Sequence, residues 1–146
     1  MAIKIQPNQI QNLQQMEVVI AGPEDANRQV VINGQFDVQL NAFGTGAGFT
    51  TAKETFSTLI GPTFTRKQFV KANATASLAK IQIFSNANVP PAANWNILNV
   101  DADWDDESGQ VELRIEAQVS AGSGQLRADI LGFLFHVTIL AAVPDA

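Results

Sequence analysis

The run Asp101-Ala-Asp-Trp-Asp-Asp-Glu-Ser-Gly109, followed by Glu112, carries the side chains of this chain best placed to do chemistry. Asp101, Asp103, Asp105 and Glu112 stand at positions 1, 3, 5 and 12 of a calcium-loop spacing, where hard oxygen ligands can wrap a divalent cation. Position 6, glycine in such loops because the chain turns sharply there, is Asp106 here, and position 8 is Ser108 in place of an aliphatic residue. Alternation along a strand with one solvated face asks for the same aspartates without any metal. A second chemistry is open to Asp103 and Glu112. Two carboxylates about 5 Å apart on neighbouring strands match the separation in retaining glycosidases. Such catalysis also needs a cleft and one carboxyl of raised pKa, neither of which an exposed hairpin supplies.

Elsewhere the inventory is thin. His136 is the single histidine and has no serine or cysteine nucleophile motif to form a triad. With no cysteine, disulfides, thiol chemistry and Cys-ligated zinc or iron–sulfur centres are excluded. Phe43-Gly-Thr-Gly-Ala-Gly48 lacks the Lys-Ser/Thr of a phosphate loop, although it precedes a predicted helix start at Thr51, where backbone N–H groups could hold an anion. Trp95 and Ile97, following the Pro90-Pro91 loop, fall out of phase with the strand after them: they form either an exposed apolar patch for a ligand or, the reading slightly favoured, a surface buried under the second sheet or a neighbouring subunit.

The acidic run is positioned by a hairpin whose register can be worked out from residue types. Leu98, Val100, Ala102 and Trp104 alternate with Asn99, Asp101 and Asp103, and after the turn Val111, Leu113, Ile115, Ala117 and Val119 alternate with polar residues. Trp104 opposite Val111 brings Ala102 to Leu113, Val100 to Ile115 and Leu98 to Ala117. A slip of one residue would set apolar side chains against charged ones. This register also places Asp101 opposite Arg114, an ordinary cross-strand pair, and Asp103 opposite Glu112, a like-charge pair.

Other segments read less evenly. Ile3 to Gln6 and Met16 to Ala21 read as strands, and Asn8 to Gln15 as a turn or two of helix. Val30, Ile32, Phe36, Val38 and Leu40 share one face of a single long strand, with Gly34 a bulge or close-packing point rather than a hairpin turn. Thr51 and Glu54 have capping-box spacing, and Ala52, Phe56, Leu59 and Ile60 share a helical face, so a short helix is predicted over 52–59, stopped by Gly61-Pro62. Val70 to Leu78 alternates, with a change of phase after Ala79. Leu126, Ala128 and Ile130 point inward, and at Gly132 the phase passes to Phe133, Phe135, Val137 and Ile139. The opposite side of that last strand, Leu134, His136, Thr138 and Leu140, is apolar for an open face. Cover for it comes either from segment 52–59 or from another subunit.

One domain of 146 residues follows: an all-β antiparallel sandwich, Greek-key or jelly-roll like, with at most one short helix. Its layout is similar, at the level of fold, to small trimeric β-sandwich modules such as H-type lectins and phage-tail tip domains. A net charge of −5 with nine scattered basic residues argues against nucleic acid. No signal peptide and no membrane-spanning run is visible, and localisation is left open. Low charge content and the two-sided apolar C-terminal strand point to a non-catalytic, self-associating module, a dimer or trimer with Leu134, His136, Thr138 and Leu140 at the interface. A carbohydrate- or calcium-binding module, with a carbohydrate or protein partner, is the alternative, and a small hydrolase using Asp103 and Glu112 the second.

Overall fold

A computed structural model describes residues 2–19, 27–44, 48–85, 92–122 and 125–142. Among the described residues eight strands make two four-stranded sheets: β1 (Ile3–Lys4), β4 (Thr50–Ile60), β7 (Val111–Ala121) and β6 (Ala93–Trp104), in that order, and β2 (Ile10–Val19), β3 (Arg28–Ala42), β8 (Gln125–Ala141) and β5 (Phe69–Ser85). All neighbours are antiparallel except β1 and β4, which run parallel. The only helical element among the described residues is a 3-10 turn at Pro7–Gln9, which carries the chain from one sheet to the other.

The inner faces supply a core of the expected kind. From β3 come Val30, Ile32, Phe36, Val38 and Leu40, from β7 Val111, Leu113, Ile115, Ala117 and Val119, and from β8 Ala128, Ile130, Phe133, Phe135, Val137 and Ile139, all buried. Phe133 lies between Phe36 of its own sheet and Phe56 of the other, with ring centroids 5.7 and 5.6 Å away, so three rings tie the sheets together. Gly34 is a close-packing point. A Cβ there would come within 2.7 Å of the Phe135 ring, which fills the space its missing side chain leaves. The phase change in β8 falls at Gly132, between a partner in β3 (Asp37) and one in β5 (Lys80) where both neighbouring strands shift register.

Several sequence expectations are corrected. The segment 52–59 is strand, paired with β7 from Thr50 to Ile60, not helix. Its β-branched threonines suit a pleat, and its inward positions, Ala52, Glu54, Phe56, Thr58 and Ile60, are too mixed to show a period of two. With no helix starting at Thr51, the anion-site reading goes too; the Thr51 hydroxyl instead meets that of Ser120 at 2.9 Å. Residues 45–47 of the preceding loop, the Pro90-Pro91 loop, and Ile20 and Ala21 of the predicted Met16–Ala21 strand lie outside the described residues. The segment Asn8–Gln15 is strand from Ile10 onward rather than helix. Leu126, expected inward, is exposed at the start of β8.

The β6–β7 hairpin keeps the deduced register from Trp104–Val111 to Val100–Ile115, then departs from it. Ile97, not Leu98, faces Ala117, because Leu98 is an extra residue between Ile97 and Asn99 and stands exposed. This bulge reverses the phase of everything before it. One leucine is given up to solvent, and Trp95 and Ile97 are turned onto the core.

Candidate functional site

On the outer face of the first sheet, a groove of about 470 Å³ lies where β1 runs out beside β4 and the β6–β7 turn folds up against both. One wall is Lys4 to Pro7, tied to β4 by the Ile5 N–H donating to the Ser57 carbonyl (2.7 Å) and the Thr58 hydroxyl donating to the Ile5 carbonyl (2.9 Å). The floor includes Ser57 and Leu59. The other wall is the acidic turn, with Asp105, Glu107, Ser108 and Gln110, and Glu112 at the start of β7.

The turn is rigidly made. Asp105 and Gln110 close it through the Asp105 N–H and the Gln110 carbonyl (2.8 Å), and Gly109, with φ of 75°, takes the left-handed position that glycine favours. Asp105 accepts from both the Ser108 hydroxyl (2.6 Å) and the Ser108 N–H (3.0 Å). These donors hold its carboxyl below the ordinary value of 3.8, the hydroxyl being the larger cause. A carboxyl held low in the folded state stabilises the turn above pH 3.8, and that contribution is lost as the pH falls through the folded midpoint. An NMR titration of Asp105 is expected to give a midpoint under 3.8 that returns toward it in Ser108→Ala; an unchanged midpoint in the variant would show that Ser108 is not the cause.

The four residues with calcium-loop spacing do not act as a unit. Asp105 and Glu112 line the groove; Asp101 and Asp103 do not. Asp101 is paired across the ladder with Arg114, and Asp103 faces Glu112. Glu112 lies 3.6 Å from the Arg114 guanidinium. Among the described residues, no group of three or more His, Cys, Asp or Glu side chains is disposed to hold a metal ion. Asp103 and Glu112, the pair on which the hydrolase reading rests, are opposite each other in the ladder, but Asp103 is exposed and only Glu112 lines the groove.

The remaining expected sites are scattered. Trp95 and Ile97 pack half-buried against the core, and the Trp95 indole donates to the Asp129 carbonyl (2.9 Å), so of the two readings they follow burial under the second sheet and not the exposed patch. Leu134, His136, Thr138 and Leu140 do share the outer face of the second sheet, but at its centre, since β8 lies between β3 and β5. Leu134 and His136 are exposed, while Thr138 and Leu140 are half-buried. Their neighbours are mostly polar: His136 hydrogen-bonds Asn33, and Asn33, Gln35, Asn73, Thr75 and Ser77 flank the strip in the ladders, with Val31 opposite Thr138 the apolar exception. Segment 52–59, the intrachain alternative for covering it, belongs to the other sheet.

Sequence reasoning missed two features. The groove needs β1 and the hairpin turn together, and nothing in their spacing announces it. The other is the edge of the second sheet. Among the described residues β2 pairs only with β3, and Leu13, Met16, Val18 and Val19 along it are 44–67% exposed. No family model, curated protein or solved structure matches this chain. No described helix is long and apolar enough to cross a membrane.

Proposed function

We propose that this chain is a non-catalytic interaction module that associates with copies of itself through β2. The observation that carries the reading is the exposed edge: an outer strand of ten residues with one side of its backbone unpaired among the described residues and four large apolar side chains exposed. An edge of this kind templates another strand unless something blocks it. Part of it is blocked. Asn12, at φ 52°, forms a bulge opposite Gly34 and breaks the regular ladder between Gln11 and Gln14. The stretch from Gln14 to Val19 pairs with β3 without interruption and leaves its other side regular.

A second copy of β2, antiparallel about a twofold axis, is the occupant that fits, because one surface then serves both partners and the assembly closes. Met16 and Val18 share the outer sheet face with Val31, Leu134 and Leu140, so a joined eight-stranded sheet extends that face across both subunits. The strip on β8 then lies two strands from the contact and is not its centre.

Light scattering after size exclusion tests the reading. The expected mass is a multiple of 15.7 kDa, returning to 15.7 kDa in Met16→Lys with Val18→Lys, two exposed positions where charge spares the fold. A single 15.7 kDa species at every concentration would refute self-association. Loss of the oligomer in Leu134→Glu with Leu140→Glu, but not in the β2 variant, would move the contact to the sheet face.

A further inference from the structure

We propose that the groove between β1 and the acidic turn binds an arginine or lysine side chain presented by another protein. Charge is the first reason. Three carboxylates, Asp105, Glu107 and Glu112, line it against one ammonium, Lys4, and even with the Arg114 guanidinium 3.6 Å from Glu112 counted in, the groove keeps a net negative charge. Independent of charge, Ser57 on the floor is only 3% exposed, and its hydroxyl has no hydrogen-bond partner among the described residues. A buried hydroxyl without a partner is costly, and an N–H from a bound ligand would recover that cost.

Geometry selects among cations. Calcium needs six to eight oxygens at about 2.3–2.6 Å, and no described acidic cluster converges in that way. A guanidinium carries five donors in a planar fork and can reach carboxylates that one small ion cannot bring together. An ammonium on a four-carbon stem can do the same with less directional fit. A sugar would want an aromatic platform, and no aromatic side chain lines the groove. The walls are already set: the Ser108 contacts fix Asp105, and the Gln110 amide is anchored on the Gly61 carbonyl at 2.8 Å, so binding orders little of the protein.

The test uses the full chain, labelled with nitrogen-15, and N-acetyl-arginine N-methylamide as probe, with the citrulline analogue as its neutral isostere. The arginine probe is expected to give saturable amide shifts at Ser57, Leu59 and Glu107 to Gln110. Citrulline is expected to bind about tenfold more weakly or worse, as is the arginine probe to Glu107→Gln with Glu112→Gln. Ser57→Ala should weaken binding several-fold while leaving the spectrum of the rest of the protein in place. Equal response to citrulline, shifts mapping elsewhere, or no saturation at millimolar probe would each overturn the proposal. Calcium chloride producing the same shifts would overturn it in favour of a metal. The citrulline comparison is made on the unmodified protein, so its outcome does not depend on any variant folding.

Discussion

Phe133→Ala is expected to lower the free energy of unfolding by about 3–5 kcal/mol. Phe133 is wholly buried and touches an aromatic ring from each sheet, Phe36 and Phe56, so truncation opens a cavity where the layers meet. The backbone around it is pinned on both sides, with Phe36 opposite in β3 and Leu78 in β5, which leaves little room for collapse. Leu134→Ala, one residue further along the same strand and exposed, is the control and is expected to fall within about 0.5 kcal/mol of the parent. Urea denaturation reads both. Comparable losses at the two positions would contradict the assignment of faces on β8 and with it the packing of the sandwich.

The second large effect is expected from Arg127→Ala, on the order of 3 kcal/mol. Asp129 has no exposed surface, although it lies on the outward phase of β8 between the inward Ala128 and Ile130. Its carboxylate accepts from the Asn41 amide and from the Arg127 Nε at 3.0 Å, and the Arg127 guanidinium is stacked over Phe84 at 4.7 Å. Removing Arg127 leaves a buried charge without its counter-ion. Removing the charge instead, in Asp129→Asn, leaves an arginine whose side chain is 38% exposed and can hydrate, so the cost there should be smaller. Arg127→Lys should fall between, since lysine keeps the charge but loses the fork and the stacking. If Asp129→Asn proves the more damaging of the pair, the carboxylate is not sustained by Arg127 in the way argued.

What the residues disclose and what they hide follow one physical rule. Alternation is legible where one face of a strand is covered along its length, as in β3, β7 and the hairpin half of β6. β4 is covered, yet Glu54 and Thr58 stand on its inner side, with Thr58 satisfied by the Ile5 carbonyl, and the apolar period is lost. β2 lies at an edge where only Ile10 packs on the core, so its glutamine-rich sequence carries no period at all. With the period of two lost, chance helical spacing dominates in β4 and in the first half of β2. The bulge at Leu98 is hidden for another reason: Leu98 and Ile97 are both apolar, and either phase gives a plausible inner face until Trp95 is grouped with Ile97. At the groove, Asp105 and Glu112 stand out in the sequence, but Lys4 and Ser57 do not. Their proximity depends on a parallel pairing between the first strand of the chain and the fourth.

Self-association through β2 is tested most directly by amide hydrogen exchange along Gln14 to Val19. In a monomer, the alternate amides of this stretch that are not bonded to β3 point to solvent. Pairing with a second β2 would protect them, and dilution would remove the protection while leaving β3 and β8 slow. Slow, concentration-dependent exchange at those alternate positions is the predicted result. Fast exchange at all of them, at every concentration, would contradict it.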